Sequence, residues 1–255
     1  MYSDFHVHSD LSFDSKEPAE NQVKRAIELN MEKICFTEHH DIGWCYEGYT
    51  SLVDMDRYNE TISYLREKYS GQIEILQGIE LGITKENINE VKEYIENANF
   101  DFIIASFHEL NGKDPYFPGF WEGKSEAELI DDYFQVTYEL LKEIKHADTL
   151  GHIDYIIRYC PSRDTNYNPM VDQKEVIDKI LNHLIESDIC LEINTSNLAK
   201  GFDFAHPHPD ILKRYVELGG KKVTIGSDAH QSDKLGYGFN EIKELIEELN
   251  LEVKQ

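Results

Sequence analysis

No stretch of the 255-residue sequence approaches the roughly 20 consecutive apolar residues that a membrane-spanning helix needs. The N-terminus, MYSDFHVHSD, has neither a basic segment nor an apolar core, so a secretory signal is not expected. Cysteine is scarce and dispersed: Cys35, Cys45, Cys160 and Cys190 form no CxxC pair and read as reduced thiols in a cytoplasmic protein. Basic residues are outnumbered, with 25 Lys+Arg against 49 Asp+Glu, and the net charge of −24 is spread along the chain rather than gathered in a tail. Such a surface repels phosphate backbones and anionic lipid heads, which argues against nucleic-acid and membrane partners. No Pro/Gly/Ser-rich linker, internal repeat or low-complexity tract divides the chain, so one domain over residues 1–255 is expected. A serine or cysteine hydrolase is not indicated, because there is no G-x-S-x-G and no cysteine beside a convincing base.

What is present suits a large core. Hydrophobic residues make up 40% and aromatics 11%, well outside the composition of a disordered chain. Apolar, β-branched runs predict strands over 2–7, 33–41, 73–82, 101–109, 150–156, 189–196 and 222–230. Between them the helical period recurs. It begins after Pro18, with Val23, Ala26, Ile27 and Leu29, and returns over 54–69, 86–99, 125–146, 172–187, 208–219 and 239–250. Seven strands alternating with seven helices imply an α/β fold with a parallel sheet, expected to close into a distorted (β/α)7 TIM-like barrel. A doubly wound open sheet is the alternative. The aromatic segment 110–124, LNGKDPYFPGFWEGK, follows a strand end and is a candidate lid or pocket wall.

The histidines sit where such folds build sites. His6, His8, His39, His40, His108, His152 and His230 each fall at or just past the end of a predicted strand, beside Glu38, Asp41, Glu80, Glu192, Asn194 and Asp228. Two-residue spacing turns His6 and His8 to one side of their strand, and likewise Asp228 and His230. A single histidine at a strand end is usually a hydrogen-bonded loop residue. Converging imidazoles and carboxylates at most of the strand ends instead point to bound divalent metal, since these are the ligands of Zn, Mn and Fe. His146 and His183 lie inside helical patterns and read as ordinary surface or half-buried residues.

The ordered segments HVH, TEHHD, GIELG, SFHE, GHIDY and SDAH, from residue 4 to residue 230, resemble the polymerase and histidinol phosphatase (PHP) superfamily. GHIDYIIRY and LEINTS are similar to its histidinol-phosphatase branch. The resemblance implies a distorted barrel of seven βα units carrying two or three divalent ions. It implies metal ligands at His6, His8, Asp14, His39, Glu80, His108, His152, Asp228 and His230. The family pattern would group His6, His8, Glu80 and Asp228 on one ion, Glu80, His108 and His152 on a second, and Asp14, His39 and His230 on a third. Where that branch usually reads G-L-R-K after INTS, this chain has Asn197-Leu198-Ala199-Lys200, so Ala199 replaces a phosphate-binding Arg. Lys200 offers only a point charge, and Arg158 becomes the main phosphate clamp.

The expected activity is metal-assisted hydrolysis of a small phosphomonoester, with histidinol phosphate favoured and a place in histidine biosynthesis implied. Arg158 would neutralise developing charge, and His40, Asp41 or His206 would protonate the leaving alkoxide, with His206 also a possible substrate contact. The rivals are a PHP phosphoesterase for another small phosphate or nucleotide, a metal-dependent amidohydrolase, and a non-catalytic metal-binding module. The acidic surface is compatible with an anionic substrate: three divalent ions add about +6 locally, against −3 from Asp14, Glu80 and Asp228, making the mouth a positive island. Oligomeric state is not readable from the sequence.

Overall fold

The computed structural model describes residues 3–46, 49–97, 99–162 and 168–254. In chain order the elements are β1 (Asp4–Val7), α1 (Ala19–Glu28), β2 (Lys33–Phe36), β3 (His40–Tyr46), β4 (Tyr49–Leu52), α2 (Met55–Lys68), β5 (Glu74–Gly82) and α3 (Ile88–Asn97). They continue with β6 (Phe102–Ser106), α4 (Glu126–Leu141), β7 (Thr149–Leu150), α5 (Pro169–Asp172), α6 (Lys174–Ser187) and β8 (Cys190–Asn194). The last are α7 (Ser196–Ala199), α8 (Pro209–Glu217), β9 (Lys222–Gly226), α9 (Phe239–Glu248) and β10 (Glu252–Val253).

Eight strands form one parallel sheet in the order β1-β2-β5-β6-β7-β8-β9-β10. Spatial order follows chain order throughout, with no point at which the winding reverses. That pattern belongs to a curling barrel and not to a doubly wound sheet, whose order reverses at a switch point. Across the seam, β1 meets the chain just after β9. The Asp228 amide donates to the His6 carbonyl at 2.8 Å, and the His8 amide to the Ala229 carbonyl at 3.0 Å. The buried Asp4 carboxylate strengthens this seam by accepting the Ser227 amide at 3.0 Å and the Gly236 amide at 3.2 Å.

The longer helices cover the outer face because they carry apolar stripes. Val23 and Ala26 of α1, Val91 and Ile95 of α3 and Ile177, Ile180 and Leu184 of α6 are buried in one continuous core. Two of the long helices have starts fixed by side-chain caps. Asp54 caps α2 through the Asp56 and Arg57 amides, and Ser125 with Glu128 forms a capping box at α4. His146 is exposed, past the end of α4 at Leu141 and so outside the helix expected over 125–146, and His183 is half-buried on α6.

Three sequence expectations need correction. The run 33–41 is not one strand: β2 ends at Phe36, and His40–Tyr46 pairs antiparallel with Tyr49–Leu52 in a separate two-stranded sheet. The strand expected over 150–156 is only Thr149–Leu150, after which Tyr155–Tyr159 winds into a 3-10 turn. Ile153, Ile156 and Ile157 are nevertheless buried, so an apolar run here reports burial and not extension. Finally, the sheet has an eighth short strand, β10, whose Glu252 sits opposite Lys222 of β9.

Candidate metal centre

The polar residues gather at the carboxyl ends of the strands, as a parallel barrel dictates. The His39 and Glu80 backbones are joined by a parallel bridge, with the Glu80 amide donating to the Glu38 carbonyl at 3.1 Å. Glu80 is fully buried and central to the cluster. Its Oε2 lies 3.0 Å from His39 Nδ1, 3.2 Å from His6 Nε2 and 3.4 Å from His8 Nε2. Its Oε1 lies 3.1 Å from His152 Nε2 and 3.2 Å from His108 Nε2. Asp228 Oδ1 faces His8 Nε2 at 3.4 Å, His230 Nδ1 at 3.6 Å and His6 Nε2 at 3.8 Å. At the mouth, Asp14 Oδ2 stands 2.9 Å from His230 Nε2 and 3.5 Å from His39 Nε2. All nine expected ligands therefore come together. Gly226 makes room for this: a Cβ there would collide with the His6 side chain.

Four sets of ligand atoms lie within 4.8 Å of one another: His8, His39 and His230; His6, His8 and Asp228; His6, Glu80 and His152; and His39, Asp41 and His108. The sets overlap the grouping implied by resemblance without reproducing it. His152 sits with His6, and Asp41 joins His39 and His108. The residues fit a divalent cation by two further tests. His6 Nε2, His8 Nε2, His39 Nδ1, Glu80 Oε2 and Asp41 Oδ1 are buried without a hydrogen bond, although such atoms are costly to leave unpaired. The donor set, imidazole and carboxylate without thiolate, is that of Zn, Mn or Fe.

The electrostatics show how tightly these groups are coupled. Burial opposes charge on His108, yet Glu80 and Asp41 push it up to about 10. Burial and the neighbouring His230 and His39 push His8 down to about 3. Burial alone would raise Glu80, but His6, His108 and His39 hold it well below the usual carboxylate range. Clustered imidazoles that compete for protons beside shared carboxylates are the arrangement a cation relieves.

A supporting layer fixes the ring orientations. Glu192 Oε1 lies 2.6 Å from His6 Nδ1, so Nδ1 carries the proton and Nε2 turns into the cluster, while Oε2 accepts the His152 amide at 2.7 Å. Glu38 accepts hydrogen bonds from the Ser9 and Ser12 hydroxyls, and Ser12 Oγ in turn sits 3.2 Å from His8 Nδ1. Sequence reading placed Glu38 and Glu192 at strand ends but gave them no role; alternation does not reveal which carboxylate faces a ring's back.

The substrate-side expectations divide. Arg158 is buried in the 3-10 turn with Nη1 3.7 Å from Asp228 Oδ2, beside the cluster. Lys200, exposed as a residue, places Nζ 5.6 Å over the Tyr159 ring, where partial desolvation of the ammonium and the nearby Arg158 push its pKa down. Asp41 reaches His108, with 3.3 Å between Oδ2 and Nδ1. His40 does not join the cluster: the strand alternation that turns Asp41 inward leaves His40 stacked on Tyr94 of α3, with ring centroids 4.4 Å apart. Both ring nitrogens of His206, the expected proton donor or substrate contact, have protein partners. Its Nδ1 is committed to Asp154 at 2.6 Å and its Nε2 accepts from Arg158 Nε at 3.2 Å. Burial and Arg158 push it down to about 4 despite Asp154, so the ring is neutral. Next to the cluster, Trp44, Glu109, Asp114, Phe117 and Phe120 line a cavity of about 350 Å³, part of which is the predicted aromatic wall.

Comparison with known proteins supplies the family. The PHP domain model matches residues 4–196. The chain belongs to the PHP domain family. Asp228 and His230 lie beyond the matched span of the PHP domain, yet reach the same cluster. A probable histidinol-phosphatase of Clostridium acetobutylicum is 33% identical over 98% of this chain and 95% of its own length. A histidinol-phosphatase of Lactococcus lactis is 31% identical over 95% of this chain and 89% of its own length. The PHP fold here also superposes on the crystal structure of histidinol phosphate phosphatase from L. lactis complexed with Zn, L-histidinol and phosphate. That match has a TM-score of 0.88 and 30% identity, covering 99% of this chain and 95% of the other.

Proposed function

We propose that the chain is a metal-dependent phosphomonoester hydrolase that converts histidinol phosphate and water to histidinol and phosphate. The observation that carries this reading is Glu80 meeting five imidazoles beside the buried guanidinium of Arg158. Relatives at 31–33% identity with nearly full coverage carry the histidinol-phosphatase name. The L. lactis structure holds Zn, L-histidinol and phosphate, which supports zinc as the ion and an amino-alcohol phosphate as substrate.

In this reading, two or three divalent ions are held by His6, His8, Asp14, His39, Glu80, His108, His152, Asp228 and His230. Bound there, such ions would supply positive charge and Lewis acidity beside the phosphoryl group. The protein's own groups do the rest. Glu80 and Asp228 set carboxylate oxygens against the ring nitrogens that face the cluster, and Glu192, behind the ring, fixes the His6 tautomer so that its Nε2 lone pair turns inward. Arg158 presents fixed donors to an oxygen of the phosphoryl group, where its charge needs no reorganisation as negative charge builds. Burial opposes ionisation of Asp41, but His108 holds it below its usual range, so it serves better as ligand or acceptor than as proton donor. The cavity suits the departing amino alcohol: Glu109 and Asp114 complement its ammonium and imidazole, and Trp44 and Phe117 offer ring faces.

The whole chain acts as one unit in this proposal, because residues near both ends of the sequence complete the centre. No described helix is long and apolar enough to cross a membrane, which fits a cytoplasmic biosynthetic enzyme. The direct test is phosphate release from histidinol phosphate by chelator-stripped and metal-restored protein. Stripped protein should be inactive and Zn, Mn or Fe should restore turnover; equal rates before and after stripping would refute the metal-dependent mechanism.

A further inference from the structure

We propose that Asp154 and His206 are positioning residues that aim Arg158 at the substrate's phosphoryl group, an inference that rests on the phosphatase reading above. Asp154 is fully buried, and both its oxygens are occupied by donors. Oδ1 takes the Nδ1–H of His206 at 2.6 Å, and Oδ2 takes the backbone amide of His208 at 2.8 Å. An ionised carboxylate can only accept, so the His206 proton sits on Nδ1 and Nε2 keeps its lone pair.

That lone pair meets Arg158 Nε–H at 3.2 Å, which Asn197 Oδ1 shares at 3.1 Å. Ser196 Oγ accepts from Nη2. One edge of the guanidinium is thereby held by three acceptors, and Nη1 is left facing Asp228 at the cluster. The other tautomer would set an imidazole N–H against Arg158 Nε–H. A guanidinium has five donors and no acceptor, so it could resolve that conflict only by turning away. Asp154 thus reaches the reaction through two intermediaries, His206 and Arg158.

Asp154→Asn tests this with almost no change of volume. The new amide has one acceptor where the native residue has two, so it opposes either the His208 N–H or the His206 Nδ1–H. Wild type, Asp154→Asn, Arg158→Ala and the double variant are compared, zinc-replete and with metal content measured, on histidinol phosphate and p-nitrophenyl phosphate. Asp154→Asn is expected to lose about 10- to 100-fold in kcat/KM, the usual scale for removing an orienting partner. Metal content should stay unchanged. Added to Arg158→Ala, the same substitution should cost less than about 3-fold, because its route of action is already gone. In long-range proton–nitrogen spectra, His206 should be protonated on Nδ1 in the wild type.

An equal loss in both backgrounds would show a merely structural role and overturn the proposal, as would His206 protonated on Nε2. Turnover of p-nitrophenyl phosphate alone would refute the substrate assignment while leaving the comparison of variants intact. If neither ester turned over, the phosphatase reading would fall. Calorimetry with inorganic phosphate on the four proteins would then decide the relay: a loss from Asp154→Asn that vanishes beside Arg158→Ala upholds it, and an additive loss or none overturns it.

Discussion

Glu80 Oε2 stands 3.0 Å from His39 Nδ1 where the backbones of the two residues are themselves bridged in parallel. The pairing of neighbouring strands thus sets the side-chain geometry of the candidate centre, and Glu80 has no freedom to leave it. Glu80→Gln keeps the volume and removes the charge. It is expected to lower turnover by at least about 10²-fold, the upper range seen when only a supporting partner is lost. Metal content should fall in parallel, as read by elemental analysis of the purified variant. Full activity in Glu80→Gln would remove this residue from the mechanism.

Glu192 should affect metal affinity without touching metal. Its carboxylate lies 2.6 Å from His6 Nδ1, and without it either ring nitrogen of His6 can carry the proton. Glu192→Gln is predicted to weaken metal binding about 10- to 100-fold, with kcat at saturating metal falling less. Chelator-competition titrations measure the affinity. Unchanged affinity would mean that the His6 ring is held by packing alone.

Arg158 should distinguish phosphate chemistry from amide hydrolysis. A hydrogen bond to a charged group contributes about 1.5–3 kcal/mol, so Arg158→Ala is predicted to lose roughly 10- to 100-fold in kcat/KM. Arg158→Lys should recover only part, since an ammonium lacks the planar fork and cannot bond Ser196 and Asn197 together. Indifference to both substitutions would favour the amidohydrolase alternative.

Glu109 gives a pH signature. Burial and the nearby Asp41 and Asp114 raise its pKa from the ordinary value to about 7. A raised carboxyl is neutral below its pKa and charged above it, so attraction for a cationic leaving group should be lost as pH falls through about 7. The ratio of KM in Glu109→Gln to KM in the wild type cancels titration of the substrate itself. That ratio should be widest above about pH 8 and approach one below about pH 6. A ratio independent of pH would place the substrate's cation elsewhere.

Much of this centre was legible because parallel strands make sequence order and spatial order agree. A histidine at the end of an apolar run is delivered to one face whichever strand carries it, and the family resemblance then named all nine clustered residues. Side chains away from those strand ends followed other rules. His40 and Asp41 are adjacent and both looked available, yet the antiparallel β3 turns one to Tyr94 and the other to His108. His206 read as a proton donor because its partners, Asp154 and Arg158, lie 52 and 48 residues away in sequence. The strand expected over 150–156 runs into the 3-10 turn at Tyr155–Tyr159 because buried isoleucines satisfy either period.

The central claim is that this cluster hydrolyses the phosphate ester of histidinol. Its most direct test is steady-state phosphate release by zinc-restored protein on histidinol phosphate beside a panel of nucleotides, sugar phosphates and p-nitrophenyl phosphate. The geometry predicts a kcat/KM for histidinol phosphate at least about 10-fold above every other ester, since a charged and aromatic cavity contributes upward of 1.4 kcal/mol of discrimination. A nucleotide or sugar phosphate hydrolysed as well or better would contradict the claim and make the chain a PHP phosphoesterase of different specificity.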